Sequence, residues 1–144
     1  MDDAYIDPLL RAFVLTLNRE AWQVDLTLLV GGTWVAGTMI PPRMFMQEVA
    51  DFAAGQGADA FRDLFQDMGR TFFPSESEVE AGAAQDPAPD EAPRHLHLRN
   101  ARTLFPGGPI PADGCYLRLR LWDVSGWVLG SPQLSGVDPP SPPG

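Results

Sequence analysis

Apolar residues near the start of the chain recur at the three- and four-residue spacings of one helix face. Asp7 is a residue type that caps helices, and Pro8 suits the first helical position. The pattern predicts a helix over residues 6–20 that packs one face against the rest of the protein. The residues of that face are Leu9, Leu10, Phe13, Val14 and Leu17.

A strand pattern follows in "VDLTLLVGGTWVAGTMIPP". Apolar residues alternate over residues 24–30, which predicts a strand with one buried face. The pair Gly31-Gly32 reaches positive φ without steric cost, so a two-residue turn and a second strand over residues 33–40 are predicted. Gly37 within that strand indicates a sharp bend or a close backbone approach, as in small closed barrels.

Helical spacing returns in residues 43–54 and again in residues 58–72, with "GQG" between them. The second segment has apolar residues on one side and charged residues on the other. The pattern predicts two helices, or one helix that is broken at the glycines.

Three further strands are predicted in the second half of the chain. The pattern over residues 95–105 predicts a strand, and "PGGPIPADG" after it predicts a turn-rich loop. Residues 115–122 alternate strongly between apolar and polar types and predict a further strand. "DVSG" then predicts a turn, and "WVLG" a short last strand. In the alternating strand, one side holds Cys115, Leu117, Leu119 and Leu121, and the outward side holds Tyr116, Arg118, Arg120 and Trp122.

This order of elements predicts an α+β fold within a single domain over residues 1–130. We expect a small curved antiparallel sheet or an SH3/Sm-like β-barrel of about five strands, capped by two or three helices. A flat α+β sandwich is the runner-up.

Two segments have compositions that do not favour a packed core. Residues 74–93 contain six acids and no basic residue, and residues 131–144 are rich in proline. Such segments bury too little apolar area to offset the entropy of ordering. We therefore predict a disordered acidic insertion at 74–93 and a disordered tail at 131–144.

The formal charge of −9 argues against partners that are themselves polyanions. Nucleic acids and anionic membranes attract basic surfaces, so neither is favoured as a partner. The first residues are acidic, unlike a signal peptide, and no apolar run approaches the ~18 residues of a membrane span. A soluble, cytoplasmic protein is expected.

No catalytic constellation stands out among the reactive residue types. His95 and His97 share one face of a strand, but no further ligands at zinc-like spacing accompany them, so we expect surface histidines. Cys115, the one cysteine, is expected to be a buried, inert thiol. The glycine pairs lack a phosphate-loop context. We expect no catalytic, metal or cofactor site, and no enzyme.

The outward side of the alternating strand carries the residue types that recur in binding sites. Arg118 and Arg120 share it with Tyr116 and Trp122. One interpretation is a face that solvent or a helix covers. Another is a protein interface, since Trp, Tyr and Arg are the residue types that dominate binding energy. A third interpretation is a base-stacking surface. The acidic chain favours the first two.

Taken together, three stretches resemble the gas vesicle accessory proteins of the U type (GvpU): "VDLTLLVGGTWVAGTMI", "LHLRNARTLFPGGPIP" and "LRLRLWDVSGWVLG". The resemblance covers roughly residues 8–72 and 95–130, with the acidic insertion and the tail outside it. Arg99 and Arg102 are among the matching residues and join the candidate interface. The other matching residues are Gly31, Gly32, Gly37, Thr38, His97, Leu98, Ala101, Pro109, Ile110, Pro111, Arg118, Arg120, Leu121, Val124, Gly126, Trp127, Leu129 and Gly130.

The resemblance implies a non-enzymatic accessory role in gas vesicle assembly or clustering, and so in buoyancy. It implies contacts with other gas vesicle proteins in the cytoplasm, and no cofactor. We add the expectation that the chain associates with itself, because self-association would add multivalency. The alternative from the residues alone is an Sm-like RNA-binding small barrel, suggested by the order of helix and curved strands and by Tyr116, Arg118 and Arg120.

Overall fold

The computed structural model of the chain describes residues 5–82, 92–105 and 108–130. Four helices are present in this part: α1 (Pro8–Glu20), α2 (Pro42–Gly55), α3 (Asp59–Phe72) and the short α4 (Glu76–Glu80). Five strands form one sheet: β1 (Val24–Val30), β2 (Thr33–Ile40), β3 (His95–Phe105), β4 (Gly108–Arg120) and β5 (Val124–Leu129). A 3-10 turn, Leu121–Asp123, joins β4 to β5.

The first helix begins where its capping residue predicts. The Asp7 carboxylate accepts a hydrogen bond from the backbone N–H of Leu9 at 2.9 Å, and Pro8 is the first helical residue. Leu10, Val14 and Leu17 are buried against the sheet, as the spacing predicted, whereas Leu9 of the predicted face is 71% exposed. Beyond α1, the segment around "GQG" forms two helices, so the two-helix alternative is correct.

The sheet is antiparallel throughout, with strand order β4-β3-β2-β1-β5. The predicted α+β fold with five antiparallel strands is confirmed. The closed SH3/Sm-like barrel is wrong, because β4 and β5 lie at opposite edges and do not pair with each other.

The open sheet is nevertheless strongly curved, because the 3-10 turn connects its two edges directly. Arg120 pairs with His95 at one edge, and Val124 pairs with Val30 next to the other. The chain between Arg120 and Val124 spans at most about 14 Å. The two edge strands therefore approach each other at this point without forming a ladder.

Glycines permit the two tightest features of the β1–β2 region. Gly31 and Gly32 have φ of 56° and 79°, which closes the predicted hairpin. A Cβ at Gly37 would lie 3.1 Å from the carbonyl oxygen of Arg99, where the β2–β3 register shifts. The close approach predicted at Gly37 is thus confirmed, and it occurs at a β-bulge in an open sheet.

Helices pack on both faces of the sheet. The face under α1 holds the larger apolar cluster, built from α1 and from inward positions of all five strands and the 3-10 turn. The opposite face holds a smaller cluster around Ile40, Phe45 and Met46, where α2 crosses the sheet. Helix α3 packs against α2 instead of the sheet, and Gly69 allows their close approach.

Several predictions about the second half of the chain need correction. The segment predicted as a turn-rich loop contains the first part of β4, from Gly108 onward. Ordering also reaches into the predicted insertion 74–93, since α4 forms at Glu76–Glu80 and Glu78 pairs with Arg43. Residues 83–91 and the tail 131–144 lie outside the described residues.

Two single-residue predictions were wrong. Cys115 is exposed, because it lies in the irregular part of β4 at the edge of the sheet. His97 is buried, because α2 and the residue after α3 cover the face that was expected to be wet. No helix in the described part of the chain is long and apolar enough to span a membrane.

Candidate protein-binding site

The interface candidates of β3 and β4 occupy the sheet face opposite α1. Strand register pairs Arg118 with His97 and Arg120 with His95, and it pairs Arg102 with Ala36 on the same face. Because side chains alternate along each strand, Tyr116 and Arg99 also project to this face. The structure then divides the candidates into three groups according to how α2 covers them.

Arg99 and Tyr116 form the inner group, under α2. The Tyr116 hydroxyl donates a hydrogen bond to a Glu48 carboxylate oxygen at 3.1 Å, and Arg99 Nε lies 3.5 Å from the same carboxylate. Burial and the bond to Glu48 raise the pKa of Tyr116. The Tyr116 ring also packs edge-on against Phe45 and Phe52.

The contacts of this inner group with Glu48 hold α2 against the sheet. Phe45 and Phe52 of α2 pack against the Tyr116 ring, and Glu48 binds its hydroxyl. The ring therefore presents no free face on which a base could stack. These contacts match the helix-covered interpretation of this part of the face, one of the three that the sequence left open.

His97 lies between the inner group and the surface. Its ring is 4.8 Å from that of Phe45 and 5.9 Å from that of Phe73. Burial, with the neighbouring Arg118 charge, lowers the pKa of His97 to about 3. The neutral imidazole accepts a hydrogen bond at Nε2 from Arg118 Nε at 3.2 Å, and this bond orients the Arg118 side chain.

The outer group lies where β3 begins and β4 ends, beyond α2. Arg120 Nε donates to Asp123 at 2.6 Å, and its guanidinium carbon stands 5.4 Å from the centre of the Trp122 ring. His95 packs edge-on against Trp122, with ring centres 5.9 Å apart. We call this group the arginine patch; it comprises Arg94, His95, Arg118, Arg120 and Trp122.

The arginine patch is positively charged within an acidic protein. Arg94, Arg118 and Arg120 are all exposed, and Asp123 is the carboxylate that pairs with one of them. Among the described residues, Arg94 and Arg118 form no ion pair. Partial burial first, and then these three arginines, lower the pKa of His95.

Arg102 stands apart from the patch. It follows the β-bulge of β3, seven residues beyond His95 or roughly 23 Å along an extended strand. Its Nε is buried without a hydrogen-bond partner in the described part of the chain. The structure therefore brings together Arg118, Arg120 and Trp122, and it separates them from Arg99, Tyr116 and Arg102.

Sequence reasoning missed Arg94 and His95 as members of the arginine patch, and Asp123 as the partner of Arg120. Arg94 lies just outside the strand that the alternation predicted, and strand pairing brings it beside the end of β4. Among the described residues, no group of three His, Cys, Asp or Glu side chains is arranged to hold a metal ion.

Residues 7–132 match the family described as "Gas vesicle protein GvpU-like". The matched range runs from the N-cap of α1 to just after β5, and it includes the arginine patch and the segment 74–93. No curated protein matches the chain, and no solved structure matches it. Because the family match covers most of its length, the chain belongs to the GvpU-like gas vesicle protein family.

Proposed function

We propose that this protein is a non-enzymatic accessory protein of gas vesicle assembly or clustering, which adheres to an acidic surface of another gas vesicle protein through the arginine patch. Family membership supports the gas vesicle role. The observation that carries the adhesive site is the grouping of Arg94, Arg118 and Arg120 beside Trp122 on a chain of net charge −9.

The patch has the chemistry of a binding centre for carboxylates. Arginine forms two parallel hydrogen bonds to a carboxylate, and Arg and Trp are enriched among residues that dominate binding energy. His97 holds Arg118, and Asp123 with Trp122 holds Arg120. Side chains that are ordered before binding lose less entropy when a partner arrives.

The acidic charge of the rest of the chain directs an acidic partner towards the arginine patch. Like charges repel an acidic partner from most of the protein surface, while the patch attracts it, so the partner is steered to one end of the sheet. The same acidic surface disfavours RNA and anionic membranes as partners. We accordingly expect the protein to act in the cytoplasm, associated with the vesicles.

Flotation with purified gas vesicles tests this proposal. We expect wild-type protein to rise with the vesicles, and the double variant Arg118→Glu with Arg120→Glu to bind at least about tenfold more weakly, the loss typical of one dominant binding residue. Moderate salt should weaken wild-type binding, because the contact is between charges.

The control is the double variant Arg19→Glu with Arg62→Glu. It makes the same change of net charge on α1 and α3, away from the patch. We expect it to bind vesicles within about twofold of wild type, since charges outside the contact surface contribute little to binding. Wild-type protein that stays in solution, or equal binding by both double variants, would contradict the proposal.

A further inference from the structure

The end of β4 that carries the arginine patch is an edge of the sheet, since β4 has one neighbour among the described strands. Leu121 N–H donates to the Arg94 carbonyl at 2.8 Å, so residues 121 and 94 form a hydrogen-bonded pair. Such pairs alternate with non-bonded pairs along an antiparallel ladder. Arg118 and Arg120 are therefore at non-bonded positions, and their backbone N–H and C=O groups point away from β3.

Proline confines further pairing to this end of the strand. Pro109 and Pro111 lack N–H donors, and they lie in the first part of β4. Prolines are a device that keeps natural edge strands from pairing with other chains. The last part, from Tyr116 to Arg120, contains no proline. The outward backbone groups of Arg118 and Arg120 are therefore the ones that another strand can bind.

The side chains of the same two residues select the charge of an added strand. Arg118 and Arg120 are exposed, and they lie on one face of the sheet because side chains alternate along a strand. A residue directly opposite an arginine in an added strand has its Cβ about 5 Å away on the same face. Opposite charges in such pairs stabilise a sheet, and like charges destabilise it. A second copy of β4 would bring arginine against arginine, so charge selects a strand with carboxylates instead.

The residue between the two arginines selects an apolar neighbour. Leu119 points to the other face, where it is partly buried against the apolar cluster under α1. A residue opposite Leu119 in an added strand lies at the border of this cluster. A charged side chain would lose water there without gaining a partner, whereas an apolar side chain would extend the cluster. The strand that fits β4 thus reads acidic, apolar, acidic.

We infer that the arginine patch binds an extended acidic segment of a partner protein, which joins the five described strands as a further strand antiparallel to β4. The segment has carboxylates at alternate positions, opposite Arg118 and Arg120, and an apolar residue between them. In this mode of recognition, backbone hydrogen bonds supply affinity and side chains supply specificity. The inference specifies the form of the acidic partner, and in this respect it rests on the proposed function.

Amide hydrogen exchange tests the backbone geometry. In the free protein we expect the amides of Arg118 and Arg120 to exchange fast, and that of Leu119, which is bonded to β3, to exchange slowly. A short synthetic peptide that alternates glutamate with valine should slow the exchange of both arginine amides at least about tenfold. Unchanged exchange of these amides at a saturating peptide concentration would overturn the inference, because the peptide would then bind without pairing.

The order of residues in the peptide tests the spacing of the carboxylates. We expect the alternating peptide to bind at least about tenfold more tightly than its isomer in which the glutamates are consecutive. Both peptides have the same composition and charge, so attraction between net charges alone would not distinguish them. Equal dissociation constants, or no binding of the alternating peptide, would overturn the inference.

Methyl groups on the peptide nitrogens test the antiparallel pairing. Each glutamate opposite an arginine directs its N–H to β4, and each valine directs its N–H away from β4. N-methylation of these glutamates should weaken binding at least about tenfold, and N-methylation of the valines should change it by less than about twofold. Equal effects, or a larger effect at the valines, would overturn the antiparallel pairing.

Two variants at residue 120 separate the backbone group from the side chain. Arg120 has φ of −78°, which proline can adopt, and its N–H points away from β3. Arg120→Ala removes the charge and keeps the N–H, whereas Arg120→Pro removes both. We expect Arg120→Pro to bind the alternating peptide about fivefold more weakly than Arg120→Ala does, the loss of one hydrogen bond. Equal affinities of the two variants would contradict pairing at this position.

Flotation with vesicles separates this inference from the proposed function. If wild-type protein binds vesicles through the arginine patch and does not distinguish the two isomeric peptides, the proposed function stands and the strand pairing fails. If wild-type protein binds the alternating peptide as a strand and does not bind vesicles, the pairing stands and the proposed function fails.

Discussion

Asp7 and Trp127 connect the two ends of the described fold. One carboxylate oxygen of Asp7 accepts a hydrogen bond from Trp127 Nε1 at 2.9 Å, and the other accepts from the N–H of Leu9 at 2.9 Å. The bond from Trp127 is the main reason that the pKa of Asp7 lies below its ordinary value. A single carboxylate thus caps α1 and anchors the edge strand β5.

We expect Asp7→Ala to lower the melting temperature, because it removes the helix cap and the partner of Trp127 together. Trp127→Phe should remove the hydrogen bond between Trp127 and Asp7 and keep the helix cap. The double variant should then be less destabilised than the sum of the two single variants, which measures the coupling between the residues. Strictly additive effects on the free energy of unfolding would contradict a functional bond between them.

The lowered pKa of Asp7 sets the pH range in which this interaction acts. The ionised carboxylate stabilises the fold fully above the pKa that Asp7 has in the unfolded chain, and the stabilisation is lost as the pH falls through the lower pKa of the folded state. Thermal denaturation of wild type and Asp7→Ala should therefore differ more at pH 7 than in strong acid. A difference independent of pH would contradict the role of the charge.

His97 predicts a second pH dependence, at less acidic pH. Its pKa is about 3 in the folded protein, below the ordinary histidine value of 6.5, so the unfolded chain binds the proton more tightly. The free energy of unfolding should therefore decrease as the pH falls from 6.5 towards 3, by up to about 1.4 kcal/mol per pH unit from this residue. Urea denaturation at pH 6.5, 5.5 and 4.5 measures the slope.

The variant His97→Gln isolates this contribution. Glutamine keeps an acceptor for Arg118 and removes the titrating group, so we expect a smaller slope between pH 6.5 and 4.5. His95→Gln serves as the comparison, since His95 is less buried and its pKa is lowered mainly by partial burial. An unchanged slope in His97→Gln would show that His97 does not remain neutral in the folded state.

Gly114 should be the glycine whose replacement is most damaging. It has φ of 77°, and a Cβ there would lie 2.7 Å from the Cα of Asn100 across the β3–β4 irregularity. Gly114→Ala should lower the free energy of unfolding by about 2–4 kcal/mol, through backbone strain and overpacking together. Gly31→Ala, with positive φ but open space around it, should cost about 1–2 kcal/mol. Equal losses would contradict the packing argument.

Glu78 should hold α4 against helices α2 and α3. Its carboxylate accepts from Arg43 Nη2 at 2.9 Å and from the N–H of Ser75 at 2.9 Å, while the Ser75 hydroxyl accepts from the Glu78 N–H. Glu78→Gln should increase amide hydrogen exchange in residues 76–80, and Glu80→Gln should not. Equal exchange in both variants would contradict the capping role.

Much of the fold could be predicted from local patterns. Helix α1, the Gly31-Gly32 hairpin and β3 follow from spacing and turn chemistry, because these depend on residues close together in the chain. The candidate site could be predicted only in part. Arg118, Arg120 and Trp122 were identified on one strand, but Arg94 and Asp123 join them through strand pairing and the 3-10 turn, which alternation does not encode.

The sequence by itself determined which faces of the strands are apolar, where the chain turns, and that its net charge is acidic. Only the tertiary structure decided that α2 covers the second face of the sheet, where it buries His97 and binds the Tyr116 hydroxyl through Glu48. Only the tertiary structure also decided that β4 and β5 lie at opposite edges of the sheet and do not pair with each other. The physical reason is that periodicity reports the direction of a side chain within its own strand. What lies opposite that side chain depends on contacts between residues far apart in the chain.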